Sequence, residues 1–150
     1  IQLNFNFYAM KKLSFLLLLS LISTAAYAQS FEGKGAVKAN IGYDLYGYGN
    51  GIKASLDLGL CDIFSIGGGG SYYFDEESDY FIFARTAVHF GLMLDLPSRF
   101  DFYPGIEIGY QESNDVGFTA FVGARYFFTN NLGVYAELGN NGSVGLSFGF

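Results

Sequence analysis

The chain has 150 residues, 51% hydrophobic and 19% aromatic, with a formal net charge of −6. This acidity disfavours nucleic acid as a partner, because affinity for phosphates comes from Lys and Arg. A single cysteine, Cys61, excludes an intrachain disulfide, a disulfide-stapled module and a Cys-ligated zinc site.

Residues 1–9 precede a natural start at Met10 and read as an untranslated upstream extension. Lys11 and Lys12 then open a basic segment, residues 13–26 are mostly apolar, and Ala26-Tyr27-Ala28 forms a small-x-small cleavage site. The apolar run of about 14 residues falls short of the roughly 20 that a spanning helix needs. A signal peptide over 10–28 is therefore expected, with the mature domain at 29–150. Its removal takes away two lysines and no acid, moving the net charge from −6 to −8. No cysteine follows the cleavage point, which argues against a lipoprotein.

The mature domain divides into eight runs in which large apolar residues occupy every second position, the period of a β-strand with two different faces. The runs are placed at 36–46, 52–60, 63–74, 80–91, 100–111, 116–127, 133–139 and 144–150. Turn-like clusters separate them: Tyr48-Gly-Asn-Gly51, Cys61-Asp62, an acidic stretch at 75–79, residues 93–99, residues 112–115, Thr129-Asn-Asn131 and Asn140-Asn-Gly142. Asn-Gly in the last is a strong hairpin signal, since both residues accept positive φ. Gly67 to Gly70 weakens the third run and suits a bend or a close strand approach. Pro104, which cannot donate to a ladder, predicts a bulge or a later start in the fifth run.

Across all eight runs the apolar face carries no Asp, Glu, Lys, Arg, Asn, Gln or His. The opposite face is dominated by glycine and small residues and carries the charges. Eight strands enclose room for side chains and little else, so large aromatics from every strand would overfill such an interior. The apolar face is therefore expected to point outward. A Lys or Arg on a lipid-facing surface would cost about 2–4 kcal/mol near the midplane. Closure also leaves no unpaired strand edge in lipid. The chain is thus read as all-β: an eight-stranded antiparallel up-and-down transmembrane β-barrel. An even strand count puts both termini on the periplasmic side. Tyr43, Tyr72, Phe74, Tyr80, Tyr110 and Phe118 would form one interfacial rim; Phe64, Phe90, Phe100, Tyr126 and Phe148 would form the other.

Inside, Lys38, Lys53, Arg85 and Arg125 face Asp44, Asp57, Asp101, Glu107 and Glu137. Isolated charges are costly in a narrow lumen, so pairing is expected. Arg85 and Arg125 are predicted to bridge Glu107 and Glu137, with Tyr103 and Tyr135 adding hydrogen bonds. This cluster reads as a structural plug in preference to a gate, and the expected role is structural support of the envelope or a narrow path for small solutes. His89 is the single histidine and points inward near the periplasmic end with no Ser alternating beside it, so no Ser-His-Asp arrangement, and no enzyme, is expected. The acidic loop of Asp75, Glu76, Glu77 and Asp79 lacks the spacing of a calcium loop and reads as solvated, without metal. No cofactor is expected.

The segment Gly123-Ala-Arg-Tyr-Phe-Phe-Thr-Asn-Asn-Leu-Gly-Val-Tyr-Ala-Glu-Leu-Gly139, followed by a strand ending on Phe150, resembles the C-terminal hairpins of small outer-membrane β-barrel proteins common in Bacteroidetes-type bacteria. More broadly the chain is similar to the eight-stranded barrels grouped near OmpW, OmpX and the OmpA membrane domain. That resemblance implies a monomer in the Gram-negative outer membrane, in contact with lipid and lipopolysaccharide. Val144, Leu146, Phe148 and Phe150 would then be the signal read by the barrel-assembly machinery. Two other functions stay open: OmpW-like binding or lateral transfer of a small apolar ligand or lipid, and a soluble periplasmic ligand-binding barrel.

Overall fold

A computed structural model describes residues 30–75 and 79–150. The expected upstream extension and signal peptide lie outside the described residues, as do Glu76 and Glu77. Eight strands follow in chain order: β1 Val37–Tyr46, β2 Gly51–Cys61, β3 Phe64–Tyr73, β4 Asp79–Val88, β5 Phe100–Gln111, β6 Gly117–Phe127, β7 Leu132–Gly139 and β8 Gly142–Gly149. Each pairs antiparallel with its sequence neighbours, and β8 returns to β1, so the sheet is a closed barrel. Most of the expected boundaries fall within two residues of these. β4 is shorter than its run and ends at Val88; beyond it His89 and Phe90 keep single backbone bonds to Ile63 and Phe102 before the turn that opens at Gly91.

Alternation sorts the side chains as its period requires. Along β2, Lys53, Ser55 and Asp57 are buried while Ile52, Ala54, Leu56 and Leu58 are exposed. Leu56 is 56% exposed, Ile106 43% and Val122 45%, whereas Arg85 is 3% and Glu107 0% exposed. Greasy residues therefore cover the outside and ionic ones the inside, the polarity of a barrel surrounded by lipid. A soluble ligand-binding barrel needs the reverse. Strands of 10 to 12 residues, such as β1 to β6, suffice to cross a bilayer when tilted.

Pro104 behaves differently from expectation. β5 runs through it, in register with Val122 of β6 and without a bulge. The ladder with β4 ends instead at Ala87 and Gly105. Phe102 accepts from the Phe90 amide on the β4 side. Pro104 shares that parity and register, so its missing N–H falls at the interruption between the Ala87–Gly105 pair and the Phe90–Phe102 bond.

The interior holds more than glycine, small residues and ion pairs. Tyr73, Phe81, Phe83, Tyr103, Phe121, Phe127 and Tyr135 are all buried inside it. Many of these rings face glycine across a strand pair: Phe83 opposite Gly69 and Gly109, Tyr103 opposite Gly123, Phe121 opposite Gly105 and Gly139, Phe127 opposite Gly133, Tyr135 opposite Gly145. A Cβ on Gly69 would lie 2.8 Å from the Phe83 ring. The glycines are recesses into which neighbouring rings lie, which is how eight strands accommodate aromatics inside.

Candidate functional site

The middle of the lumen is one ionic network built from five walls. Arg85 on β4 sets Nε 2.9 Å from Asp57, Nη1 3.2 Å from Glu107 and Nη2 2.6 Å from Glu137. Lys53 on β2 reaches Glu107 at 2.7 Å and Glu137 at 3.2 Å. Arg125 on β6 closes on Asp57 at 2.9 Å and donates to Asn40, while its guanidinium lies 4.7 Å from the Tyr103 ring centroid. Three cations thus meet three carboxylates, and all six side chains are at most 4% exposed. The charges balance within the cluster, the condition under which buried ions are tolerable.

This wiring differs in part from the one expected. Arg85 does bridge Glu107 and Glu137. Arg125, expected on the same pair, instead pairs with Asp57, and Lys53 takes its place. Tyr103 donates to Glu137 at 3.2 Å. Tyr135 does not join; its hydroxyl lies against Gly42 of the facing seam. Lys38 is buried lower in the lumen, its Nζ 4.9 Å from the Phe127 ring centroid. Asp101 leaves the central cluster altogether.

Asp101 belongs to a second polar array at the lower end, the end where residues 30–36 enter β1. Its Oδ2 lies 2.5 Å from His89 Nδ1, and His89 Nε2 lies 2.8 Å from Ser65 Oγ. Ser65 and His89 are 1% exposed and Asp101 is 0% exposed. A Ser-His-Asp arrangement, not expected from the chain, is therefore present. The serine does not alternate with His89 along one strand; it comes from β3, the neighbouring wall, where it pairs with Ala87. A search along β4 alone could not find it.

Each mouth is closed by an aromatic ring. At the upper end Tyr48, in the β1–β2 loop, crosses to β6: its hydroxyl donates to the Phe118 carbonyl at 2.8 Å and accepts from the Phe118 amide at 2.7 Å. The ring packs edge-on against Phe81, centroids 5.3 Å apart. At the lower end Phe31 stacks on His89, centroids 3.6 Å apart and planes within 3°.

The acidic loop is engaged rather than free where it is described. Asp79 accepts from Gln111 at 2.8 Å and Ser113 at 2.7 Å, and Asp75 accepts from the Asn50 amide at 3.2 Å. Among the described residues no group of three or more acidic, His or Cys side chains is gathered to hold a metal. Of the C-terminal residues, Val144, Leu146 and Phe150 are exposed on the outer face and Phe148 is half-buried. β8 closes the seam by pairing Val144 with Tyr43, Leu146 with Ile41 and Phe148 with Ala39.

Residues 21–142 match a family described as a family of unknown function (DUF6646). The chain belongs to that family. No functionally curated protein matches the sequence. Among solved structures, this DUF6646 chain is similar to a de novo designed transmembrane β-barrel, with a TM-score of 0.66 and 17% identity over 80% of this chain and 99% of that one. It is also similar to the N-terminal β-barrel domain of Pseudomonas aeruginosa OprF, with a TM-score of 0.62 and 16% identity over 79% and 100%. A second designed barrel, TMB2.3, gives 0.56 and 14% over 78% and 95%. At these identities the likeness establishes the fold: an eight-stranded barrel of the outer-membrane type. It does not extend to the Bacteroidetes-type grouping.

Proposed function

We propose that the protein is a sealed, non-enzymatic structural barrel of the Gram-negative outer membrane, exported by its N-terminal segment. One observation carries this reading: a charge-balanced network fills the lumen from β2 to β7, with rings set into glycine recesses around it. A pore would need a continuous wet path, and side chains buried to this degree leave none. The outer surface supports contact with outer-membrane lipid and lipopolysaccharide, and the exposed Val144, Leu146 and Phe150 suit recognition of the last strand by the assembly machinery. The closed seam gives no strand edge for self-association, in keeping with a monomer.

The test is electrical. Purified protein refolded into planar bilayers should give no discrete conductance steps. Conductance in the wild type, raised further by Arg125→Ala, would refute the seal. Membrane fractionation of cells expressing the full chain checks the location: the protein should follow the outer membrane and migrate faster on a gel when unheated than when boiled.

A further inference from the structure

We propose that Ser65 is an acyl-accepting nucleophile, oriented by His89 and Asp101 and covered by Phe31, which takes acyl groups from short-chain carboxylic esters at the lower mouth. The proposal concerns one stoichiometric acylation and no turnover, so it goes beyond the structural role above without contradicting it. Three observations support it.

The first is the order of atoms. A carboxylate only accepts hydrogen bonds, so Asp101 requires the hydrogen on His89 Nδ1. In the neutral ring that leaves Nε2 as the acceptor, and Ser65 Oγ lies 2.8 Å from it. Proton transfer therefore runs in one direction, from hydroxyl to ring, with the carboxylate holding the ring's orientation. This is the connectivity by which a hydroxyl becomes a nucleophile. Ser65 lies on β3, Asp101 on β5, and His89 immediately after β4, its amide bonded to the Ile63 carbonyl.

The second is a place for a substrate. A cleft of about 90 Å³ adjoins the array, lined by Phe31, His89, Leu92, Leu96, Phe100 and Asp101 among others. That volume corresponds to about three waters. It suits a short acyl chain on an apolar wall.

The third is the cover. The Phe31 ring lies flat on His89, and a Cβ built on Gly59 would sit 3.2 Å from its Cζ. Gly59 is the cross-strand partner of Ser65. One ring therefore shields both the base and the wall next to the nucleophile. Phe31 is borne on residues 30–36, turned back under the barrel by Gly33 at φ +82° and Gly35 at φ +85°. Backbone bonds from Ser30 to Ser98 and from Gly35 to Gly59 hold the segment. Ser65 does not itself line the cleft, but both border His89, so displacement of this ring would open a way between them.

The chemical step balances without a redox partner. Oγ attacks the ester carbonyl carbon while Nε2 takes the hydroxyl proton. The Oγ–C bond forms, the bond from carbonyl carbon to alkoxy oxygen breaks, and the departing alcohol receives the proton from Nε2. One ester and one serine become one acyl-serine and one alcohol.

The experiment treats the full chain, refolded in detergent micelles, with p-nitrophenyl acetate and locates the acetyl group by peptide mass mapping. Wild type should acetylate slowly at Ser65, and Phe31→Ala faster. Adding His89→Gln to Phe31→Ala should slow modification of Ser65 by about 100-fold or more. Should His89→Gln not fold, as judged by heat-modifiable migration, Asp101→Asn provides the same comparison. Acetyl found on lysines and never on Ser65, in both wild type and Phe31→Ala, would overturn the proposal. So would equal rates at Ser65 with and without His89, the signature of an array that only ties three strands together.

Discussion

The upper mouth is roofed by Tyr48, the lower one floored by Phe31, and the two rings are held in different ways. Tyr48 sits in a loop anchored on both sides by β1 and β2, and its hydroxyl makes two bonds to the backbone of β6. Its own amide is tied to Asn141 at 2.8 Å. The Phe31 ring has no polar group with which to bond; it stacks on His89 and lies beside Gly59. Beneath Tyr48 the lumen is aromatic, with Tyr73, Phe81 and Phe83 clustered; above Phe31 it is polar, with Ser65, His89 and Asp101. A roof fastened by hydrogen bonds covers inert packing, and a floor held by contact covers groups with chemistry. Reactivity is thus placed at the less firmly closed end.

The separation between the two ends rests on the ionic network between them, and breaking that network should have the largest effect. Arg85→Met leaves Asp57, Glu107 and Glu137 with two cations, and we expect a loss of about 3–5 kcal/mol, read from urea titration in micelles by the heat-modifiable gel shift. Next, filling a recess tests how tightly the upper half is packed: Gly69→Val drives a side chain into Phe83 and should cost about 1–3 kcal/mol in the same titration. Third, the mouths themselves can be compared. Tyr48→Phe removes the bonds to Phe118 and should cost about 1 kcal/mol without admitting solvent to His89. Phe31→Ala removes a buried ring and should cost about 1.5–3 kcal/mol, yet also make His89 reactive to diethyl pyrocarbonate. Equal protection of His89 in both variants would erase the distinction between roof and floor. Smallest of all, Pro104→Ala should change stability by no more than about 0.5 kcal/mol, because the restored N–H falls where the ladder with β4 is already interrupted.

Much of this architecture could be read from alternation. Lys53, Ser55 and Asp57 against Ile52, Leu56 and Leu58 already separate two solvents, and eight such runs imply closure. The same parity places Arg85, Glu107 and Glu137 inside. Which charge meets which is another matter, since that depends on how far each strand is shifted against its neighbours. Arg125 lies opposite Asp101 and Tyr135 along its ladders but crosses the lumen to Asp57. The Ser65–His89–Asp101 array was hidden for the same reason: its members are 24 and 12 residues apart and belong to three walls. Phe31 lies outside the alternating runs, so no periodic signal marks it. The inward rings carried a signal that was present but unused, because Phe81 and Phe83 share the parity of Arg85.

Sliding one strand past another by two residues would keep every outward side chain outward. The lipid face, apolar throughout, raises no objection to such an error. Inside, the same slide would take Tyr103 off Gly123 and set it against Phe121 or Arg125, and Phe83 would leave Gly69 and Gly109 for positions at Gly67 or Ser71 and Glu107 or Gln111. The wall alignment is therefore recorded on the hidden surface, in a lock-and-notch code of rings and missing side chains, and it is this code that gives an evenly greasy cylinder one assembled form.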